Sequence, residues 1–271
     1  MTPEFPTPAW LVGCGNMAGA MVEGWRSAGI GLSGATVIRP SGTPVEGVTT
    51  VTDYPGDERP RFVMLGFKPQ KLEEIAPLLA PHVAAECTVV SMLAGVAAAT
   101  LRQIFPEARA IVRVMPNLPV AQLQGVTAIY SADGDQEQLS AIHQLIAALG
   151  TIIWCEKEEE LGVIGAIASA GIAYVARFAA ALAKSGEKLG LQPRAAEQIG
   201  IQTLVGTAAY AADTGATMSE LAKRVASPNG TTERGLAVLD GEGGLQQLVD
   251  RTIEAAVRRS TELAAEAARR N

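Results

Sequence analysis

The sequence has few of the side chains that bind metals or form disulfides. Its 271 residues include two histidines and three cysteines. His82 and His143 have no cysteine or histidine nearby at metal-ligand spacing, so we predict no metal site. Cys14, Cys87 and Cys155 each lie in or beside an apolar run. An odd, sparse set of this kind is typical of reduced thiols and favours a cytoplasmic protein over a disulfide-bonded secreted one.

A concentrated positive charge is also absent. The formal net charge is −6, and the lysines and arginines are scattered along the chain. Nucleic-acid binders usually collect these side chains on one face, so we expect no nucleic-acid partner. Residues 1–10 lack the basic and apolar regions of a signal peptide.

One segment, residues 161–183, is long and apolar enough to be mistaken for a membrane span. Arg177 lies in its interior, and much of its apolar content is alanine and glycine, which drive membrane insertion weakly. We therefore expect no membrane partner. The segment is predicted to be a helix buried on all sides, in a core or between subunits.

The first half of the chain alternates short apolar runs with segments of helical periodicity. Strands are predicted at 9–15, 35–40, 61–67, 87–93, 108–115, 125–130 and 151–155. Helices are predicted at 16–29, 72–83, 96–105 and 135–149. This alternation indicates an α/β domain over residues 1–155, with a doubly wound, mainly parallel sheet. From residue 156 to 271 the pattern is helical, which predicts a second, all-α domain.

A glycine-rich loop follows the first predicted strand and opens the first predicted helix. In GCGNMA, Gly13 allows a tight turn, Gly15 lets the backbone approach a pyrophosphate, and Ala18 is small enough for helix–strand packing. A phosphate group would lie on the exposed amides at the helix N-terminus. The loop therefore predicts a dinucleotide site; the alternative is a glycine-rich turn without a ligand.

The end of the second strand favours NADPH as the cofactor. VIRPSG contains Arg39 and Ser41 and lacks the carboxylate that usually bonds the ribose 2′-hydroxyl of NAD. An arginine suits a 2′-phosphate, although a solvated strand-end arginine has the same sequence signature and NADH stays possible.

Five segments in fixed order resemble the pyrroline-5-carboxylate reductase family over essentially the whole chain. They are GCGNMA (13–18), FKPQ (67–70), LAGV (93–96), RVMPNLP (113–119) and SPNGTT (227–232). The resemblance implies an N-terminal Rossmann domain that holds NAD(P)H and a C-terminal helical domain that forms an intertwined homodimer, with further assembly possible. It also implies reduction of the cyclic imine Δ1-pyrroline-5-carboxylate to L-proline, the last step of proline biosynthesis.

The resemblance assigns the cofactor residues by position. Pyrophosphate is implied at Gly13, Cys14, Gly15, Asn16, Met17 and Ala18, and the ribose at Arg39 and Ser41. The nicotinamide is implied at Phe67, Lys68, Pro69, Ala94 and Gly95, with Asn117 also at the cofactor. From the residues alone, Lys68 is equally consistent with a solvated lysine before a helix that begins at Pro69. Its location at a strand end, where open α/β sheets bind ligands, favours the functional interpretation. Asn117 is equally consistent with a turn.

Substrate binding is predicted in the loop that interrupts the helical half. Asn229 and Gly230 can adopt positive φ at low cost, and Thr231 and Thr232 begin a helix with exposed amides. Such amides suit a carboxylate, and the resemblance makes Thr232 the candidate catalytic partner of the imine nitrogen. The alternative is a plain inter-helix turn with a threonine as N-cap.

Four positions depart from the family pattern. Leu118 replaces the threonine of MPNTP, Ala170 and Ile172 depart from SGSGPAY, and Asn229 replaces a glycine of SPGGTT. Two alternatives therefore stay open: an imine reductase acting on another cyclic imine carboxylate, and a non-enzymatic NADP-binding dimeric protein. A β-hydroxyacid dehydrogenase is disfavoured, because Lys184 lies late in its helix without the motif of that family.

Overall fold

In residues 4–134 and 136–268, which the computed structural model describes, eight strands form one sheet. They are β1 (Ala9–Val12), β2 (Ala35–Ile38), β3 (Thr49–Val51), β4 (Phe62–Leu65), β5 (Thr88–Ser91), β6 (Ala110–Met115), β7 (Gly125–Tyr130) and β8 (Gly150–Trp154). Their spatial order is β3-β2-β1-β4-β5-β6-β7-β8. The chain therefore builds outward on one side of β1 and then continues on the other, which makes the carboxyl ends of β1 and β4 a topological switch point.

The sheet is mainly parallel, as predicted. One pair of strands runs in opposite directions: β6 and β7 are antiparallel, with Arg113 opposite Tyr130 and Met115 opposite Ala128. One antiparallel pair is compatible with the mainly parallel sheet that the sequence predicts. β6 and β7 are joined by a short connection containing a 3₁₀ turn, Leu118–Gln122, and an antiparallel pair needs no helical crossover.

β3 is the strand that the sequence pattern did not predict. It has three residues, lies at the edge of the sheet and is paired only with β2 among the described strands. A short, half-exposed Thr-Thr-Val segment lacks the continuous apolar run by which the buried strands are recognised.

Both faces of the sheet are buried. Ala9 and Leu11 of β1 belong to one apolar cluster, whereas Trp10 and Val12 belong to the other. Helices α1 (Asn16–Ser27), α2 (Leu72–Leu79), α3 (Ala98–Ile104) and α4 (Gln136–Ala147) follow strands along the chain. Burial on both faces explains why these strands read as unbroken apolar runs. The α/β class with a mainly parallel sheet is confirmed.

The second half is helical, as predicted. Its helices are α5 (Glu160–Ile164), α6 (Gly171–Lys188), α7 (Pro193–Thr214), α8 (Met218–Val225), α9 (Thr231–Leu239) and α10 (Leu245–Ala268). The first helical stretch of this half is divided into α5, a π-helical turn at Gly165–Ser169, and α6.

The chain divides into two compact units. One contains the described residues up to Ser169 together with the chain from Ala256, and the other contains Ala170–Ala255. Within the second unit α6 packs on α7 so closely that a Cβ on Gly200 would lie 3.0 Å from the carbonyl oxygen of Ala179. The division predicted after residue 155 follows the change from strands to helices and stays a prediction.

The apolar segment noted in the sequence is largely exposed in the single chain. Within the described residues, Glu160–Lys188 is the one helical stretch long and apolar enough to cross a membrane by length and composition, with mean hydropathy 1.7. Of its most apolar window, 11% is buried. Burial in the chain's own core, one of the two settings expected for this segment, is therefore wrong.

Candidate active site

A cavity of about 720 Å³ lies where β1, β2 and β4 end. Ten of the residues predicted to hold the cofactor line it: Gly13, Cys14, Gly15, Asn16, Met17, Ala18, Arg39, Ser41, Phe67 and Lys68. The volume falls within the range of roughly 300–1,000 Å³ that is usual for small-molecule and cofactor sites. Its position is the one at which open α/β sheets bind ligands.

The turn after β1 requires glycine. Gly13 has φ +74°, and a Cβ there would lie 2.9 Å from the Cβ of Phe67. On the neighbouring strand a Cβ on Gly66 would lie 2.8 Å from the carbonyl oxygen of Gly13. The two strand ends therefore approach each other more closely than larger residues allow.

The N-terminus of α1 can hold an anion. Gly15 is the N-cap and provides no side-chain hydrogen bond, and no acidic residue lies in the first turn. The first intrahelical bond runs from Gly19 N–H to the Gly15 carbonyl at 2.8 Å, so the amides of Asn16, Met17 and Ala18 have no helical acceptor. Those amides and the positive end of the helix dipole suit a phosphate group.

Open space lies in front of this loop. A Cβ added to Gly15 would meet no atom within 4 Å. The space next to the exposed amides is therefore available to a ligand, and the residues present fit the pyrophosphate of a dinucleotide.

The charged side chains of the cavity are cationic. Arg39 and Lys68 line it, and within the described part of the chain no carboxylate does. Burial raises the pKa of the Cys14 thiol, and the nearby charge of Arg39 opposes that rise. Arg39 therefore lies close enough to the glycine-rich loop to act on an anion there.

Four residues predicted at the cofactor do not line this cavity. Pro69 begins a 3₁₀ turn that ends at Lys71. Ala94 and Gly95 line a second cavity, of about 310 Å³. Asn117 is buried, and both ends of its amide are bonded within the first unit: Nδ2 donates to the Ala168 carbonyl at 3.0 Å and Oδ1 accepts from Val126 N–H at 2.8 Å. The cofactor roles of these four residues stay predictions.

Sequence reasoning missed several residues that line the large cavity. Met92 directly follows β5 and Met115 ends β6, so the rule that strand ends face the ligand could have found both. Ser169 ends the π-helical turn and donates from Oγ to the Pro116 carbonyl at 3.2 Å. No local sequence signal predicts this contact between Ser169 and Pro116, because the two residues lie about 50 positions apart in the chain.

The substrate loop predicted at 227–232 lies in the second unit. Asn229 adopts the left-handed conformation with φ +59°, whereas Gly230 has φ −80°. A Cβ on Gly230 would lie 2.9 Å from the Ser227 carbonyl oxygen, so glycine is needed here for close approach and not for positive φ. Asparagine thus takes over the left-handed position that the family pattern gives to glycine.

This loop presents the N-terminus of α9 without a side-chain cap. Gly230 is the N-cap, so the alternative of a threonine N-cap does not apply. Asn229 N–H donates to Glu233 Oε2 at 2.7 Å, and Gly230 N–H donates to the Ser227 carbonyl at 2.9 Å. Thr231 and Thr232 are exposed, and their amides precede the first intrahelical bond. Amides of this kind, at the positive end of a helix and without a helical acceptor, suit an anion.

Comparisons with known proteins agree with this architecture. Residues 158–263 match the family model described as pyrroline-5-carboxylate reductase dimerisation. The chain is 31% identical over 264 residues to the pyrroline-5-carboxylate reductase of Pseudomonas aeruginosa, an alignment that covers 94% of this chain and 96% of that one. It is 30% identical over 262 residues to pyrroline-5-carboxylate reductase 3 of Danio rerio, covering 93% of this chain and 90% of that one.

Solved structures show the same fold. The pyrroline-5-carboxylate reductase of Coxiella burnetii has a TM-score of 0.88 at 29% identity, covering 96% of this chain and 99% of that one. A Plasmodium falciparum pyrroline carboxylate reductase with NADP bound has a TM-score of 0.82 at 21% identity, covering 95% of this chain and 98% of that one. The motifs, the fold and the whole-chain identity together place this chain in the pyrroline-5-carboxylate reductase family.

Proposed function

We propose that this protein reduces Δ1-pyrroline-5-carboxylate to L-proline with NADPH. The observation that carries the proposal is the 31% identity to a pyrroline-5-carboxylate reductase over 94% of the chain. The cationic cavity at the switch point of the sheet supports it, because an NAD(P)H-dependent reductase needs a dinucleotide site there.

The chemistry asks little of the protein beyond positioning. NADPH supplies the hydride, and a protonated C=N bond is already a good electrophile. The amides of Asn16, Met17 and Ala18 would hold the pyrophosphate, and Lys68 would add positive charge at the same cavity. What remains for the protein is to hold the imine against the cofactor and to anchor the substrate carboxylate.

NADPH is proposed over NADH because of the adenosine end of the cavity. Arg39 and Ser41 line it, and the described lining contains no carboxylate to bond a ribose 2′-hydroxyl. An arginine suits the 2′-phosphate that distinguishes NADPH. The Plasmodium falciparum relative, which shares the fold, was solved with NADP.

The substrate carboxylate is proposed to bind the loop before α9. The amides of Thr231 and Thr232 are exposed and precede the first helical hydrogen bond, and Asn229 and Gly230 shape the turn that presents them. The Thr232 hydroxyl is the proposed hydrogen-bonding partner of the imine nitrogen. Because Glu233 already accepts the Asn229 amide proton, that amide is not counted among the carboxylate ligands.

A cytoplasmic homodimer is proposed as the working form, with assembly beyond the dimer open. Residues 158–263 match a dimerisation model, and α6 carries a stripe of exposed apolar residues. Its members are Ile172 (38% exposed), Val175 (52%), Phe178 (39%) and Leu182 (44%). Their helical spacing gives one continuous face, and contact with a second copy would remove it from water.

A different cyclic imine carboxylate is the second candidate substrate. Leu118 is 54% exposed and Ile172 is 38% exposed, and both replace residues of the family motifs. Exposed apolar side chains at such positions would alter what the protein tolerates around the ring of the substrate, without altering the imine and carboxylate chemistry.

Oxidation of NADPH by the purified protein tests the proposal directly. Turnover with Δ1-pyrroline-5-carboxylate and formation of L-proline are expected, and so is restored growth of a proline auxotroph. A six-membered cyclic imine carboxylate serves as the comparison substrate. A higher kcat/KM for that ring would favour the second candidate, and no turnover with either imine would leave a non-enzymatic NADP-binding protein.

A further inference from the structure

The loop that joins β5 to α3, residues 92–97, is anchored near its start from within the sheet. Leu93 N–H donates to Ser91 Oγ at 3.2 Å. The Leu93 carbonyl accepts from Nη2 of Arg113, which projects from the neighbouring strand β6, at 3.4 Å. Both hydrogen bonds are buried. The backbone at Leu93 is therefore tied on both its donor and its acceptor side.

The end of the same loop is anchored by a carboxylate from a distant segment. Ala98 is the first residue of α3, and its N-cap, Ala97, provides no side-chain hydrogen bond. Ala98 N–H donates instead to Oε1 of Glu158, 60 residues away, at 2.7 Å. Glu158 thus performs the function of an N-capping side chain and also places negative charge at the positive end of α3.

The two anchors are one ion pair. Arg113 Nη1 donates to the same Oε1 of Glu158 at 2.7 Å, and the two side chains are 11% and 23% exposed. A pair so well screened from water depends on both partners, because loss of one leaves the other charge buried and uncompensated. Removing Glu158 would release the amide of Ala98 and leave Arg113 without its counter-ion.

The residues of this loop line two different cavities. Met92, at its start, lines the large nucleotide cavity. Ala94, Gly95 and Ala97 line the smaller cavity, together with both members of the ion pair. Gly95 has φ +77°, a conformation that other residues adopt only with strain, so the loop follows a defined path. A shift of the loop therefore changes the wall of the nucleotide cavity at Met92.

We propose that Arg113 and Glu158 are positioning residues for hydride transfer. They act through the 92–97 loop, which they hold against the nucleotide cavity. The proposal rests on the proposed function, in which Ala94 and Gly95 border the nicotinamide. The pyrophosphate loop at 13–18 has its own fixed turn at Gly13, which does not depend on the ion pair. The ion pair therefore determines the position of the nicotinamide relative to the substrate and does not determine the affinity for the dinucleotide.

Replacing Glu158 separates these two effects. In Glu158→Ala, kcat is expected to fall on the order of 10- to 100-fold, since misplacement of reacting groups by about 1 Å has that effect. The Kd of NADPH, measured by its fluorescence, should be unchanged. The deuterium isotope effect on kcat with 4-deuterated NADPH should rise, because hydride transfer becomes more rate-limiting. Glu158→Gln keeps an oxygen that can accept both hydrogen bonds, so it should restore part of the lost kcat.

Amide hydrogen exchange in the cofactor-free protein tests the anchoring without activity. Exchange at residues 93–98 should be faster in Glu158→Ala than in the wild type and intermediate in Glu158→Gln. Asp133→Asn is the matched control, since Asp133 also pairs with an arginine of the same unit, Arg102, and also accepts a backbone proton, from Ile111 N–H at 2.8 Å, although its side chain is more exposed (36%) than that of Glu158 (23%). It should lower stability without changing exchange at 93–98 or the isotope effect.

The outcomes keep the two proposals apart. Unchanged exchange at 93–98 in Glu158→Ala overturns the positioning role, whatever the protein turns over. So does unchanged kcat in that variant, or a loss of activity that saturating NADPH fully restores. Failure of the wild type to turn over any imine contradicts the proposed function, while the exchange experiment still decides the anchoring. Should Glu158→Ala not fold, Glu158→Asp makes the same comparison, because it keeps the charge but withdraws the carboxylate by one methylene.

Discussion

Gly13 and Phe67 approach so closely at the ends of β1 and β4 that a Cβ on Gly13 would lie 2.9 Å from the Cβ of Phe67. Because Gly13 also has φ +74°, any side chain there is both crowded and strained. The contact joins two motifs that lie 54 residues apart in the sequence, GCGNMA and FKPQ, into one wall of the large cavity where NADPH is proposed to bind.

Gly13→Ala is expected to abolish measurable NADPH binding, because the turn that aims the α1 amides at the pyrophosphate can no longer form. Titration of NADPH fluorescence is the measurement. Gly19→Ala is the matched control: Gly19 lies within α1, a Cβ there meets no atom within 4 Å, and alanine should stabilise the helix by about 0.5–1 kcal/mol. Equal affinities in wild type and Gly13→Ala would contradict the assignment of the cavity.

Arg39→Ala is expected to reduce the preference for NADPH over NADH. The guanidinium is the cationic group proposed at the 2′-phosphate, and NADH has no charge for it to bind. The ratio of kcat/KM for the two cofactors should fall by about tenfold or more, which corresponds to one charge-assisted hydrogen bond of about 1.5–3 kcal/mol. Arg59→Ala removes an exposed arginine of the same unit that does not line the cavity, and it should leave the ratio unchanged.

Thr232→Ala is expected to lower kcat/KM for the imine by about 10²-fold or more if its hydroxyl assists the reacting nitrogen. The Kd of NADPH should stay the same, because the α9 loop and the nucleotide cavity belong to different units. Thr232→Ser keeps a hydroxyl and should retain most activity. Thr203→Ala alters an exposed threonine within α7 and serves as the control. Normal proline formation by Thr232→Ala would remove Thr232 from the proposed site.

Alkaline pH is expected to destabilise the protein through Cys87. Burial raises the pKa of this thiol from its ordinary value of 9.0 to about 12. Between those values the unfolded chain releases the proton and the folded protein keeps it, so the free energy of unfolding falls as pH rises. The slope from one such group is about 1.4 kcal/mol per pH unit.

Denaturant unfolding of wild type and Cys87→Ala at several pH values from 8 to about 11 isolates this effect. At pH 8 the variant should be less stable, because alanine leaves a small cavity at a fully buried site. Above pH 9 the difference should shrink and then reverse, since the variant has no thiol to ionise. Parallel curves for the two proteins would show that Cys87 keeps an ordinary pKa.

Val175→Glu is expected to convert the dimer to a monomer. Val175 lies in the middle of the exposed apolar stripe of α6, and a carboxylate there would be buried without a partner on association. Light scattering coupled to gel filtration measures the mass. Leu78→Glu changes a side chain that is 59% exposed on α2, outside the matched dimerisation region, and should leave the mass unchanged. A dimeric Val175→Glu protein would place the interface on another face.

The sequence by itself determined the features that depend on neighbouring residues. The glycine-rich turn at Gly13 is local, because positive φ and the start of α1 are properties of adjacent positions. The buried strands and the long helices were likewise predictable from apolar periodicity. Asn229 in the left-handed conformation is a further local outcome, since asparagine tolerates that region.

Tertiary structure alone decided which distant residues meet. The bonds of Asn117 to Ala168 and Val126, and that of Glu158 to Ala98, join segments with no shared periodicity. The antiparallel direction of β7 depends on the edge of the sheet to which this strand is added. The exposure of α6 depends on which surfaces the rest of the chain leaves uncovered. Such contacts form when whole helices and strands pack together. Local sequence propensity does not specify which helix or strand packs against which. That is why the sequence predicted the cavity and the structure revealed the ion pair behind it.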